Sequence, residues 1–350
     1  MKSFSCQKCQ QSIFFENVLC VRCQLPLGYI PELGQMSTFE KETDSYHSLQ
    51  TGKSYKLCKN GQLHQACNWM IDESSTDEFC FSCSFNRTIP NLSIGENRRH
   101  WQILESGKRR LLYSLMRFHL PLVNKNTDPV NGMAFEFLKD TFERIQANDR
   151  VMTGHVDGVI TLNIAEADDA ERERLRMKLK EDYRTVLGHF RHESGHYYWQ
   201  QLIEKTTRLE PFRALFGNET IDYQSAISDH HQNGAAKNWH MNYISAYASS
   251  HPWEDFAETW AHYILIADTL ETAAEFSFTI KASSNEENNF DSYHAPSFGA
   301  LLERWLPLTL SVNSINRSAG QPDLYPFVLS TTAILKLTFI HDLIRAAKTV

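Results

Sequence analysis

Eight cysteines, and the point where they stop, constrain this chain more than any other feature. Cys6, Cys9, Cys20, Cys23, Cys58, Cys67, Cys80 and Cys83 all lie near the N-terminus, and no cysteine follows them in the 350-residue chain. Three of the four pairs are C-x-x-C. That spacing brings two thiolates to one tetrahedral zinc ion from a tight turn whose backbone N–H groups stabilise the sulfur charge. Disulfides are the competing use of an even cysteine count, and they belong to exported chains. The N-terminus, MKSFSCQKCQ, has no apolar run of the kind that heads a secretory signal. The pattern predicts structural zinc and a cytoplasmic setting. Cys6, Cys9, Cys20 and Cys23 form one expected site, and Cys58, Cys67, Cys80 and Cys83 the other. His64, between Cys58 and Cys67, is an alternative ligand. Interleaved pairing is the alternative to sequential sites, and the closeness of the first four cysteines favours the sequential order.

The expected organisation is a zinc-ribbon region over 1–93, with two four-cysteine sites, and a second domain over 94–350. Hydrophobic residues make up 42% and charged residues 22% of the chain, enough to bury a core. A net charge of -7 argues against a nucleic-acid partner. No stretch approaches the ~20 apolar residues of a membrane helix. The spacing of Trp101, Leu104, Leu111, Leu112 and Leu115 predicts a helix over 95–117. Its basic cluster, Arg98, Arg99 and Lys108 to Arg110, reads as a solvated helix face, with a phosphate grip as the alternative. Residues 159–164 alternate as a strand does, and are expected to form an edge to which a peptide substrate could add. Glu181–Asp182 is the expected start of the next helix, whose apolar positions are 183, 186, 187, 190, 197, 202 and 203.

The chemistry-bearing motif lies inside that helix. Residues 192–196 read His-Glu-Ser-Gly-His, an H-E-x-x-H. Residues four apart share one helical face, so His192 and His196 can bind one metal ion. Glu193, one step round, can take a proton from a water at that metal. Two merely structural core histidines are the competing explanation.

A catalytic zinc needs a third ligand and an open position. Glu254, Glu258 and His262 are spaced by four on an apolar-aromatic helical pattern that begins at His251. Glu254 is the chosen ligand, with Glu258 accepting the second N–H of a ligating histidine. The reverse assignment, His262 as ligand, and an inert salt-bridged face are the alternatives. Tyr247 and Tyr243 are candidate donors to the oxyanion of a hydrolytic intermediate, with His251 and His240 as weaker ones.

On these residues the chain resembles a bacterial family of zinc-binding metallopeptidases with an N-terminal zinc ribbon. The resemblance rests on CQKC, CVRC, CNWM, FCFSC with NRTIPNL, TGHVDGVITLNIAEADDAER, YRTVLGHFRHESGHYYW, SAYASSHPWEDFAETWAHY and NRSAGQPDLYPFVLS. More distantly the core is similar to gluzincins, whose third ligand is a glutamate on a second helix. Those of the lethal-factor type carry H-E-x-G-H, matched by His192 to His196, and E-x-F-A-E, matched by Glu254 to Glu258. In them the first glutamate of the second motif holds zinc and a tyrosine seven residues earlier serves the site. That resemblance implies Glu254 as ligand and Tyr247 as oxyanion donor. The 58-residue gap from His196 to Glu254 is longer than in compact gluzincins, and the polar insert around Asp229-His230-His231 is expected to fill it as a loop or short helix.

The expected fold is α+β: a largely helical, zincin-like metallopeptidase domain preceded by two small zinc-ribbon modules that lack a sufficient core without metal. The expected function is peptide-bond hydrolysis with one catalytic and two structural Zn2+ ions. Glu193 and Tyr247 would be catalytic, His192, His196 and Glu254 metal ligands. The expected partners are a peptide or protein substrate and a protein docked on the ribbons, with no membrane. A non-catalytic zinc scaffold that docks a protein or nucleic acid, and a zinc hydrolase of non-peptide amides, are the alternatives.

Overall fold

The computed structural model describes residues 2–141, 146, 150–179, 181–278 and 290–347. Two compact units emerge from its contacts. Unit 1 holds Met1–Tyr113 and Leu122–Asp169, and unit 2 holds Ser114–Pro121 and Ala170–Val350. The chain thus divides inside the helix at Tyr113 and again after Asp169, whereas its last cysteine is Cys83.

Unit 1 carries three sheets. Strands β1 (Phe4–Ser5) and β2 (Ser12–Ile13) form a small hairpin that flanks the first C-x-x-C pair, Cys6 and Cys9, which lie in its turn. A meander follows: β3 (Leu27–Ile30), β4 (Gln35–Lys41), β5 (Tyr46–Ser48), β6 (Ser54–Leu57) and β7 (Met70–Asp72), all antiparallel neighbours. Helix α1 (Lys59–His64) interrupts it just after Cys58. Residues 37–57, too polar and too short in their alternation to read as strands, therefore supply most of this sheet. Its core is Ile30, Phe39, Tyr55 and Met70. A second aromatic group, Phe15, Tyr29, Trp69 and Tyr113, lies with ring centroids 4.8–6.3 Å apart. The Asn68 side-chain amide donates to the Phe15 carbonyl (2.6 Å), joining the loops of both cysteine sets. The cysteine sets thus share one sheet and an aromatic core, and are not two separate coreless modules. Each large side chain fully buried there contributes roughly 1.5–3 kcal/mol.

The third sheet has the order β10 (Gly154–Val156), β11 (Val159–Asn163), β9 (Ala134–Leu138), β8 (Asn86–Thr88). Strand β11 pairs antiparallel with β10 and parallel with β9. The expected edge at 159–164 is therefore interior, with both rows of backbone groups already used, and Ile164 has passed into a turn. The edges are β10 and β8.

Helix α2 (Asn97–Arg117) follows the predicted periodicity. Its basic cluster does not read as predicted. Arg98 and Arg99 are exposed, but Lys108 and Arg109 are 0% and 6% exposed. The Lys108 ammonium donates to Asn86 Oδ1 and pairs with Glu105 at 2.9 Å; Arg109 donates to the Ala66 carbonyl.

Unit 2 is helical: α3 (Asp169–Leu179), α4 (Val186–Leu202), α5 (Leu209–Phe216), α6 (Tyr223–Asn233), α7 (Pro252–Glu275), α8 (Phe298–Ser318) and α9 (Thr331–Ala347). Helix α4 starts later than Glu181–Asp182, because Thr185 caps it: its hydroxyl accepts the Gly188 N–H at 2.9 Å. The polar insert forms α6, capped by Asp222. Helix α7 is the central element, touching α4, α5, α8 and α9. Its buried residues Phe256, Trp260, Tyr263, Ile264 and Ile266 recur at helical spacing, and His251 caps it by accepting the Trp253 N–H. Among the described residues no helix is long and apolar enough to cross a membrane.

Candidate metal centre

In unit 2 the motif helix α4 and the carboxylate helix α7 are held face to face by a small residue. A Cβ built on Gly195 would lie 2.8 Å from the Ala257 Cα. That approach lets His192 and His196 meet the side chains one turn apart on α7. His192 Nε2 is 3.0 Å from Glu254 Oε2, and His196 Nε2 is 3.5 Å from Glu254 Oε1. His192 Nδ1 is 2.7 Å from Glu258 Oε1. One ligand atom from each of His192, His196 and Glu254 lies within 4.8 Å of the others. Two imidazoles and a carboxylate are a fitting donor set for zinc. Glu258 faces only the second nitrogen of His192, the arrangement that fixes a ligand's tautomer.

The electrostatics are those of a cation site. Burial pushes His192 down, but hydrogen bonds to Glu254 and Glu258 and their charge hold it well above its ordinary value. Burial pushes Glu254 up, and His196 and His192 outweigh it, so its carboxyl stays far below the usual range. Glu258 is also lowered against its burial, by His192 and by the Ser245 hydroxyl, which donates at 2.6 Å. Glu254 sits in the first turn of α7, where the helix dipole favours negative charge. A divalent cation here would meet two ionised carboxylates already held in place.

Glu193 is 6% exposed and has no hydrogen-bond partner among the described residues. A carboxylate so placed is available to move a proton. The Tyr247 ring centroid is 6.0 Å from that of His192. Burial, then the charge of Glu254 and its neighbours, pushes the Tyr247 phenol well above its ordinary value, so it stays a donor. Sequence reasoning missed Tyr223 at the start of α6. Its hydroxyl donates to Glu254 Oε1 at 2.8 Å and also meets Tyr247. No local motif marks it; it reaches the site only because α6 packs there.

The other candidates lie elsewhere. The Tyr243 ring sits 4.4 Å from the Lys336 ammonium, which pairs with Asp255 at 2.6 Å. His240 is exposed on a short turn. His251 is used as the cap of α7, and its Nε2 lies 3.2 Å from the Ile221 carbonyl. His262 Nδ1 meets the Tyr325 hydroxyl at 2.8 Å, with the Phe327 ring 4.5 Å away. The C-terminal block thus closes the core over α7.

In unit 1 the cysteines gather sequentially. Cys6, Cys9, Cys20 and Cys23 form one group and Cys58, Cys67, Cys80 and Cys83 another, with the sulfurs of each group within 4.8 Å of one another. Cys6–Cys23 and Cys9–Cys20 are 3.6 Å apart and Cys67–Cys80 3.5 Å, too far for disulfides and suited to a shared ion. Burial pushes the Cys6 thiol up, but the Thr38 hydroxyl and the backbone N–H groups of Cys9 and Lys8 bring it down to about 6. His64 is not in the second group; its ring packs 5.8 Å from that of Trp101. The buried Lys108 and Arg109 face the second group instead. Burial lowers both, and Glu105 with the sulfurs of Cys67, Cys80 and Cys83 outweighs it. Four thiolates on one zinc would carry a net negative charge, which these two cations would offset.

Comparison with known proteins agrees with this picture. A family model described as "Putative zinc-binding metallo-peptidase" matches residues 97–343, and a zinc-ribbon domain model matches residues 3–94. An uncharacterized protein of Mycobacterium bovis and two of Mycobacterium tuberculosis strains are each 37% identical over 345 residues, covering 98% of this chain and 95% of theirs. No solved structure matches the chain significantly. Zinc binding is supported by both matches and by the cysteine groups. With one model spanning well over half its length and relatives matching from end to end, the chain belongs to the zinc-binding metallo-peptidase family, and it carries an N-terminal zinc-ribbon domain.

Proposed function

We propose that the protein is a zinc-dependent hydrolase of the gluzincin type that cleaves peptide bonds. The observation that supports it best is the convergence of His192, His196 and Glu254 ligand atoms within 4.8 Å, beside a Glu193 carboxylate with no partner among the described residues. A zinc ion held by those three side chains would supply Lewis acidity, lowering the pKa of water towards ~7 and polarising the scissile carbonyl.

The chain's own groups do the rest. Glu193 takes the proton of the attacking water and delivers it to the leaving amine. Tyr247 donates from its protonated phenol to the developing oxyanion. Tyr223 orients Glu254 through its 2.8 Å hydrogen bond. Glu258, held by Ser245, fixes His192 in the tautomer that presents Nε2. The two cysteine groups hold structural zinc. A scaffold without catalysis would have no use for a buried acid at position 193, which burial makes costly.

Elemental analysis and peptide-library digestion test this together. Wild type is expected to carry three zinc ions and His192→Ala two. Glu193→Gln should keep three and lose cleavage by roughly 10²–10⁴-fold. Equal metal in wild type and His192→Ala, or full activity in Glu193→Gln, would overturn the proposal.

A further inference from the structure

Lys336 on α9 is a buried cation, 2% exposed, that joins separate parts of unit 2. Its ammonium donates to Asp255 Oδ2 at 2.6 Å and to the Asn242 carbonyl at 2.7 Å. It also lies 4.4 Å from the centre of the Tyr243 ring. Asp255 directly follows Glu254 on α7 and is fully buried. Asn242 and Tyr243 begin the segment that leads into α7. One side chain thus ties α9 both to the first turn of α7 and to the start of that segment. Thr332, one turn earlier on α9, adds a weaker bond to Asn242 Oδ1 at 3.5 Å.

Residues 242–250 have little regular structure of their own; their helical part is the short turn Tyr247–Ser249. Yet they carry two groups of the centre. Ser245 donates to Glu258 at 2.6 Å, and the Tyr247 ring stands 6.0 Å from that of His192. The Ser245 hydroxyl also accepts the Ala248 N–H at 3.1 Å, which fixes the turn bearing Tyr247. A shift at Asn242 would therefore reach Ser245 and Tyr247 within a few residues. Stability alone does not account for the ion pair. A buried ion pair gains little over an apolar pair of similar volume. This one also leaves Asp255 Oδ1 without a hydrogen-bond partner among the described residues, a costly condition for a buried acceptor. An apolar pair would lack direction. Charge-assisted bonds fix the ammonium between a carboxylate on α7 and one particular carbonyl of the segment.

We propose that Lys336, paired with Asp255, is a positioning residue of the metal centre. It sets residues 242–250 against α7, so that Ser245 meets Glu258 and Tyr247 stands beside His192. Its consequence for catalysis rests on the hydrolase reading; its consequence for the segment does not. The C-terminal helix thereby acts on the site through Asn242 and Asp255.

Lys336→Met combined with Asp255→Asn removes both charges and strands neither. In the full-length, zinc-loaded protein, hydrogen exchange read by mass spectrometry should quicken about tenfold in residues 242–250 and stay near wild type elsewhere in unit 2. Zinc at the histidine site, followed by chelator competition, should weaken through Ser245 and Glu258 while the cysteine groups keep theirs. Against a peptide substrate, kcat should fall about 10–100-fold at unchanged KM. In a Tyr247→Phe background the same two substitutions should cost little more, because the group they misplace is already gone. Tyr243→Leu strands no charge and should quicken the same segment by less; it decides the matter if the double variant does not fold. Exchange unchanged in 242–250, or quickened equally throughout unit 2, would mean a purely structural pair and overturn the proposal. A kcat loss undiminished by Tyr247→Phe would overturn it too. Cleavage by the wild type separates the two ideas. A segment that loosens as expected in a protein that cleaves nothing overturns the hydrolase reading and leaves the positioning role standing. A double variant that cleaves like wild type overturns the positioning role and leaves the hydrolase reading standing.

Discussion

Gly195 on the motif helix and Ala257 on the carboxylate helix approach so closely that a Cβ on Gly195 would lie 2.8 Å from the Ala257 Cα. Backbone stands on the far side of that contact, so no flexible side chain can yield. The glycine is required by proximity, and the proximity brings two imidazoles against Glu254. Gly195→Ala should force α4 and α7 apart, with an overpacking cost of about 1–3 kcal/mol. Thermal melting should show the loss, and zinc affinity should fall with it. An unchanged Tm and unchanged affinity would mean the helices adjust freely.

Glu258 acts on the centre through His192, its Oε1 lying 2.7 Å from Nδ1. Glu258→Ala should weaken zinc at that site by about 10–100-fold while the cysteine sites keep theirs. Chelator competition with quantified zinc release distinguishes the two pools. Ser245→Ala, which removes the 2.6 Å hydrogen bond to Glu258, should move affinity the same way and by less.

Lys108 is a buried cation with Glu105 at 2.9 Å and the sulfurs of the second cysteine group nearby. Lys108→Met strands the Glu105 carboxylate and leaves thiolate charge less compensated. Removing one partner of such a buried pair costs about 3–5 kcal/mol. Denaturant unfolding measures it. Arg98→Ala, at an exposed position of the same helix, should change stability by less than about 0.5 kcal/mol. A Lys108→Met protein as stable as wild type would show that the ammonium does not offset the cluster.

His262 supplies a pH dependence. Burial lowers its imidazole from 6.5 to about 4. A folded-state value below the unfolded one means that folding favours the neutral ring, whose Nδ1 lies 2.8 Å from the Tyr325 hydroxyl. The contribution is complete above about pH 6.5 and is lost as pH falls towards 4, where both states carry the proton. The shift corresponds to about 3 kcal/mol. Between pH 7 and 4.5 wild type should therefore lose more stability than His262→Phe, compared by urea titration. Parallel losses would remove His262 from the account.

The sequence by itself determined whatever depends on spacing within one segment. Four-residue spacing on a helix puts His192 and His196 on one face in any fold that keeps the helix, and a C-x-x-C turn presents two sulfurs wherever it lies. The helix at 97–117 and the first turns of the one at 252–275, as far as His262, were legible for the same reason, because their apolar positions recur at the helical period. Tertiary structure decided whatever depends on a partner distant in sequence. Glu254 and Glu258 are equivalent by periodicity; only the packing of α7 on α4 places Glu254 against both imidazoles and Glu258 on His192 Nδ1. Tyr223 comes to Glu254 across 31 residues through the docking of α6, which no local pattern records. Lys108 and Arg109 look like surface charge until the thiolates that compensate their burial are brought beside them. Strand β11 alternates as an edge strand does, and only its pairing on both sides makes it interior. Covalent spacing is set by the chain itself, whereas burial and pairing are set by which surfaces meet.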